Sequence, residues 1–102
     1  MEPMNRTRID MSLSNEQLYE GCEITIVAGR KVMVTPVHEA VHLLGRNAAA
    51  LIAADENHEE VLLTGPMAVW AYLIVFHEVV HRYKRVWYDD GKNDPVLVAA
   101  HG

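Results

Sequence analysis

At 102 residues the chain has room for one domain with a modest core, small enough that assembly with further copies is an expected way to complete a site. Half of the residues are apolar and 23% are charged, the ordinary composition of a globular domain. A formal charge of -5 and a pI near 5.6 exclude the broad basic surface that duplex DNA or an anionic membrane demands, while leaving open a small anionic ligand in a locally positive pocket.

Cys22 is the sole cysteine, so no internal disulfide forms and a reducing, cytoplasmic compartment is expected. The opening residues lack the apolar centre of a signal peptide, and the longest apolar run, Met67 to Phe76, is too short to cross a bilayer.

Residues 1–20 are polar and without clear periodicity, and read as a flexible leader ahead of a single α+β domain at 21–102. Ser14 with Gln17 has the spacing to cap a short helical turn. Cys22–Ala28 and Lys31–Val37 alternate and are β-branched, with Gly29 between them to supply a positive φ, which predicts a hairpin. His38–Leu44 has helical character. Gly45 breaks that pattern, and Asn47 is placed to cap an Ala-rich helix over Ala48–Glu56, leaving open one kinked helix or a loop plus a helix.

Val61–Leu63 reads as a central strand, Thr64-Gly65 as a turn, and Pro66 as the first position of an apolar, buried helix over Met67–Tyr83. Arg85–Asp89 alternates as a strand, Asp90–Asp94 turns, and Pro95–Ala100 forms the last strand. The order ββαβαββ predicts a ferredoxin-like arrangement, a mostly antiparallel sheet with helices on one face.

Three features carry chemistry. His38-Glu39-Ala40-Val41-His42 and His77-Glu78-Val79-Val80-His81 both satisfy H-E-x-x-H, whose histidines share a helical face and bind zinc in metalloproteases; a small metalloprotease is one reading. So short a chain leaves little room for the third ligand and substrate cleft that such an enzyme needs, and His38 and His42 read more simply as surface histidines. Thr64-Gly65-Pro66 lies between a strand and a helix N-terminus, where free N–H groups and the helix dipole attract phosphate. Trp70, Ile74, His77 and His81 follow one helical stripe, and two imidazoles with Asp89 suit Mn²⁺, Fe²⁺ or Zn²⁺. Trp70 or Tyr72 has the ring to stack on a purine, and Lys84 and Arg85 the charge to neutralise phosphate, although core packing and a solvated surface explain the same residues.

The run from Thr64 to Asp90 resembles the CRISPR-associated ring nucleases of the small ferredoxin-like type, the third ring-nuclease class. The resemblance lies in Thr64-Gly65, Trp70 on the apolar helix, His77 near its end, Tyr88-Asp89 in the following strand, and Val96-Leu97-Val98 in the last one. Pro66 stands where the family usually has Arg, and Asp90-Gly91 where it has Pro-Arg after the strand's Asp. The resemblance implies a homo-oligomer that binds a cyclic oligoadenylate and cleaves it with a divalent metal, usually Mn²⁺, ending a type III CRISPR antiviral response; action on short RNA is a related behaviour. By position, Thr64 and Gly65 would contact phosphate, and His77 and Asp89 would perform metal or acid–base work. Helical geometry adds His81 as a metal ligand. A non-catalytic module that binds the same messenger, or that only oligomerises, is the alternative.

Overall fold

The computed structural model describes residues 6–101, which form β1 (Thr7–Asp10), β2 (Ile24–Val27), β3 (Arg30–Met33), α1 (Val37–Ala54), β4 (Glu60–Thr64), α2 (Val69–Val80), β5 (Arg85–Asp89) and β6 (Val96–Ala100). The fold is α+β: two helices and a mixed four-stranded sheet in the order β1-β4-β5-β6, with β2 and β3 as a separate two-stranded ribbon. The expected antiparallel pairing holds within the ribbon and between β5 and β6. Both central pairings, β1 with β4 and β4 with β5, are parallel.

Alternation along the strands decides what lies where, because successive side chains point to opposite faces. Ile9, Val61, Leu63 and Val86 share one face, on which Leu44, Ala48 and Ile52 of α1 and Ala71, Val75 and Val79 of α2 complete the core. Full burial of each large aliphatic side chain there contributes about 1.5–3 kcal/mol. Both helices thus cover the same face, as expected. The opposite face carries the row Arg8, Leu62, Trp87 and Leu97, and beyond it the row Asp10, Thr64 and Asp89.

Met1–Asn5 lie outside the described residues, but the rest of the expected leader belongs to the domain. Thr7–Asp10 is an edge strand of the main sheet, and Met11, Leu18 and Tyr19 are buried. Their burial comes from pairing with β4 and packing under α1, contacts remote in sequence that local polarity does not announce. The ordering therefore runs ββ(ribbon)αβαββ behind an additional first strand. The turn after β1 is held by side chains: Asn15 Nδ2 donates to the Asp10 carbonyl (2.8 Å), and the Leu18 N–H donates to Asn15 Oδ1 (3.2 Å).

Helix α1 is continuous through Gly45, and Asn47 is not its cap. Asn47 is buried on the helix, where Nδ2 donates to the Leu18 and Glu20 carbonyls, each at 2.9 Å. These two bonds satisfy the loop that leaves β1, so tertiary structure overrides the break that Gly45 suggests. Helix α2 begins at Val69, later than Pro66, and ends at Val80.

The carboxylate of Asp55, just past α1, joins three segments by accepting bonds from the hydroxyls of Thr7 and Tyr83. Among the described residues no helix is long and apolar enough to cross a membrane.

Candidate functional site

Three strands running the same way end together, and ligands of open α/β sheets gather outside such carboxyl ends. Thr64, the last residue of β4, is flanked in register by Asp10 of β1 and Asp89 of β5. Its backbone carbonyl accepts the Met11 N–H (2.7 Å), which extends the parallel pairing one residue past β1.

Gly65 then turns the chain with φ +104°, a conformation natural to glycine. A Cβ there would stand 2.6 Å from Asp10 Oδ1 and 3.2 Å from the backbone nitrogens of Met11 and Ser12. Glycine is therefore required both by its dihedral angle and by the closeness of the β1 end. Asp10 is itself fixed by the Ser12 N–H at 2.8 Å and the Ser12 hydroxyl at 3.1 Å.

Tyr72, one turn into α2, donates its hydroxyl to the Gly65 carbonyl and meets Tyr88 edge to face, with ring centroids 5.4 Å apart. Burial pushes the Tyr72 phenol up to about 12, assisted by Tyr88, Asp10 and Asp89, so it remains a hydrogen-bond donor at neutral pH. Thr64, Gly65, Tyr72, Tyr88, Asp89 and Asp90 line a cleft of about 280 Å³. No side chain caps the N-terminus of α2 beside it.

Of the residues singled out in the sequence, Thr64, Gly65 and Asp89 come together in this cleft. His77 and His81 come together elsewhere: their rings meet edge to face at 5.0 Å on the exposed side of α2, below Val69 and Leu73 at the same four-residue spacing. Trp70 and Ile74, assigned to that stripe from sequence, are half-buried against the core. From the start of α2 to His77 is about 12 Å of helix. The chain then returns to the start of β5, leaving Asp89 at the other end of that strand. Among the described residues, no three His, Cys, Asp or Glu side chains converge within one chain.

Lys84 and Arg85 lie at the start of β5, about 13 Å of strand from Asp89. They pair with Glu59 (3.2 Å) and Glu60 (3.4 Å), respectively. Glu60 also accepts the Trp87 indole N–H at 2.6 Å, and Arg6 lies 5.0 Å above that ring. Burial acts against the Glu60 carboxylate, but bonds from Arg85 and Trp87 and the charge of Arg85 hold its pKa below the ordinary value. His38 and His42 of the other H-E-x-x-H run are exposed on α1.

The sequence reading missed Asp10 as part of the site; it named Tyr72 and Tyr88 singly, but not the contact between them. The signal for Asp10 was the alternation of Thr7-Arg8-Ile9-Asp10-Met11 followed by Ser12 and Asn15, a strand ending in turn-forming side chains. Comparison with protein-family models, with curated proteins and with solved structures gives no match for this chain.

Proposed function

We propose that the protein is a metal-dependent phosphodiesterase that binds a cyclic oligoadenylate, or a short RNA of similar chemistry, and opens it at a phosphodiester. The observation that supports this reading is the meeting of Thr64 and Asp89 at parallel strand ends, in a cleft beside the uncapped start of α2. Phosphate finds N–H donors and a favourable dipole there, and Asp89 is placed to receive a proton. The resemblance of Thr64-Gly65, Trp70, His77 and Tyr88-Asp89 to the ring nucleases names the substrate, and two helices on a mixed sheet agree in general terms with their ferredoxin-like architecture.

A cleft of about 280 Å³ is at the low end for drug-sized ligands and holds a nucleotide rather than a whole ring. The remainder of a cyclic ligand meets a second copy, and a symmetric assembly presents the exposed His77–His81 pair of one copy to the Asp89 cleft of another. The donor set of two imidazoles and one carboxylate fits Mn²⁺ only when it is shared in this way. When bound, the metal supplies charge neutralisation at the phosphate.

In the proposed reaction a ribose 2′-oxygen attacks the adjacent phosphorus, forming P–O2′ and breaking P–O5′. Asp89 accepts the 2′-hydroxyl proton, a water molecule protonates the departing O5′, and the His pair would hold the metal. The products are a 2′,3′-cyclic phosphate and a 5′-hydroxyl. Incubation with cyclic tetra-adenylate and Mn²⁺, resolved by chromatography, tests the proposal. Linear product is expected; intact ligand that also fails to bind would overturn it. Because the cleft within one chain contains no imidazole, binding without turnover is the second reading, distinguished by tight binding of intact ligand that His77→Ala does not change.

A further inference from the structure

The ribbon of β2 and β3 does not join the main sheet, and its tip reaches back toward the site. Ala28 (φ 52°) and Gly29 (φ 78°) both have positive φ, the signature of a two-residue turn that twists with its strands. Immediately after the turn come Arg30 and Lys31. Together with Gly29 they form one wall of a chamber of about 640 Å³, whose other walls are the Ser12–Ser14 turn and Pro66–Met67. Pro66 and Met67 also line the Thr64–Asp89 cleft, so the two spaces adjoin across this short segment.

The two spaces differ in charge. Asp89 and Asp90 line the first, whereas Arg30 and Lys31 line the second without a carboxylate among the lining residues. The ion pairs among the described residues employ Lys84 and Arg85 and leave Arg30 and Lys31 free. On a chain of formal charge -5, two adjacent cations outside the ion pairs of the described residues make this edge locally basic, with Glu16 and Glu20 facing Lys31 only across the adjoining groove. Ser12 is not part of the recognition, since its hydroxyl is committed to Asp10 and to the Ser14 N–H. The cations supply the specificity.

We propose that Arg30 and Lys31 form an anion-binding wall, and that the chamber takes a phosphate-bearing polyanion whose remainder extends past Pro66–Met67 into the acidic cleft. This deepens the reading given under Proposed function by assigning a second phosphate of the same ligand to the ribbon tip, yet it stands on different residues.

The test uses the full chain, with inorganic tripolyphosphate and cyclic tetra-adenylate as separate probes. Calorimetry gives the affinity, and amide chemical shifts give the location. Tripolyphosphate is expected to shift Ser14, Gly29, Arg30 and Lys31. In the Arg30→Ala/Lys31→Ala variant its affinity falls about tenfold or more, the loss expected for deleting charged hydrogen bonds. Arg82→Ala, which removes an exposed cation elsewhere, leaves affinity unchanged. Ribbon amide shifts retained in the double variant show that the tip still folds. Shifts confined to other regions, no binding at all, or an equal loss in Arg82→Ala would overturn the proposal. If cyclic tetra-adenylate neither binds nor is cleaved while tripolyphosphate still binds at the tip, the ring-nuclease reading fails and the anion wall stands.

Discussion

Asp10 and Gly65 sit so close that a methyl group added at position 65 would lie 2.6 Å from Asp10 Oδ1. The end of β1 and the turn after β4 therefore form a single unit, and the candidate site inherits its rigidity. Gly65→Ala meets both this clash and the strain of φ +104°. A loss of about 1–3 kcal/mol is expected in urea unfolding. Asp10→Ala in the same chain should recover the part due to the Asp10 carboxylate and leave the parts due to the Met11 and Ser12 backbone and to the dihedral angle.

Tyr72 locks that turn from the opposite side through the Gly65 carbonyl. Tyr72→Phe should cost about 1 kcal/mol in stability. In an alkaline titration followed at the phenolate absorbance, it should also remove a tyrosine that ionises only near pH 12. Unchanged stability and an unchanged titration curve would contradict the bond.

Asn47 is the strongest case of a buried side chain serving a distant loop. Asn47→Ala leaves the Leu18 and Glu20 carbonyls without their donor. Denaturant unfolding should show a loss of about 1–3 kcal/mol.

Acid stability should depend on Asp55. Burial opposes its charge, but bonds from Thr7, Tyr83 and the Asn57 N–H outweigh that and lower its pKa below the ordinary 3.8. A carboxyl with a depressed folded-state pKa binds protons more readily when unfolded. Its contribution is thus complete above the unfolded value and is lost as pH falls through the folded one. Asp55→Asn should lower the melting temperature at neutral pH and weaken its further decline below pH 3.8, measured by thermal scans across the acid range. Parallel curves for the two proteins would show that Asp55 has no such role.

If the His77–His81 pair of one copy serves the Asp89 cleft of another, two inactive variants should complement each other. His77→Ala and Asp89→Ala, each inactive on cyclic tetra-adenylate, are expected to regain about a quarter of wild-type activity after equal mixing of dimers, because half of the dimers are mixed and each has one intact site. Absence of recovery after demonstrated subunit exchange would place the two groups in separate roles.

Local patterns made much of this legible. The alternation of Arg85–Asp89 and the glycine turn of the ribbon located β5 and the β2–β3 hairpin, because both depend on neighbours in sequence. Strand β1 escaped because only Ile9 of its four residues is buried, and what makes it a strand is β4 beside it. Gly45 suggested a break that packing against α2 and the Asn47 anchor overrule. Thr64, Gly65 and Asp89 could be named from residue type, but their meeting depends on β4 and β5 being parallel. That same fact sends His77 and His81 toward the far end of α2, away from Asp89 in the same chain.

Trp70 belongs to the helical layer, whereas the half-buried Trp87 stands on the opposite face of the sheet between Glu60 and Arg6. The molecule thereby carries two intrinsic fluorophores in separate compartments. Emission from Trp70 reports loosening of the interior, and emission from Trp87 reports changes on the opposite face of the sheet. With one tryptophan replaced at a time, each event can be followed in the same chain without an attached dye.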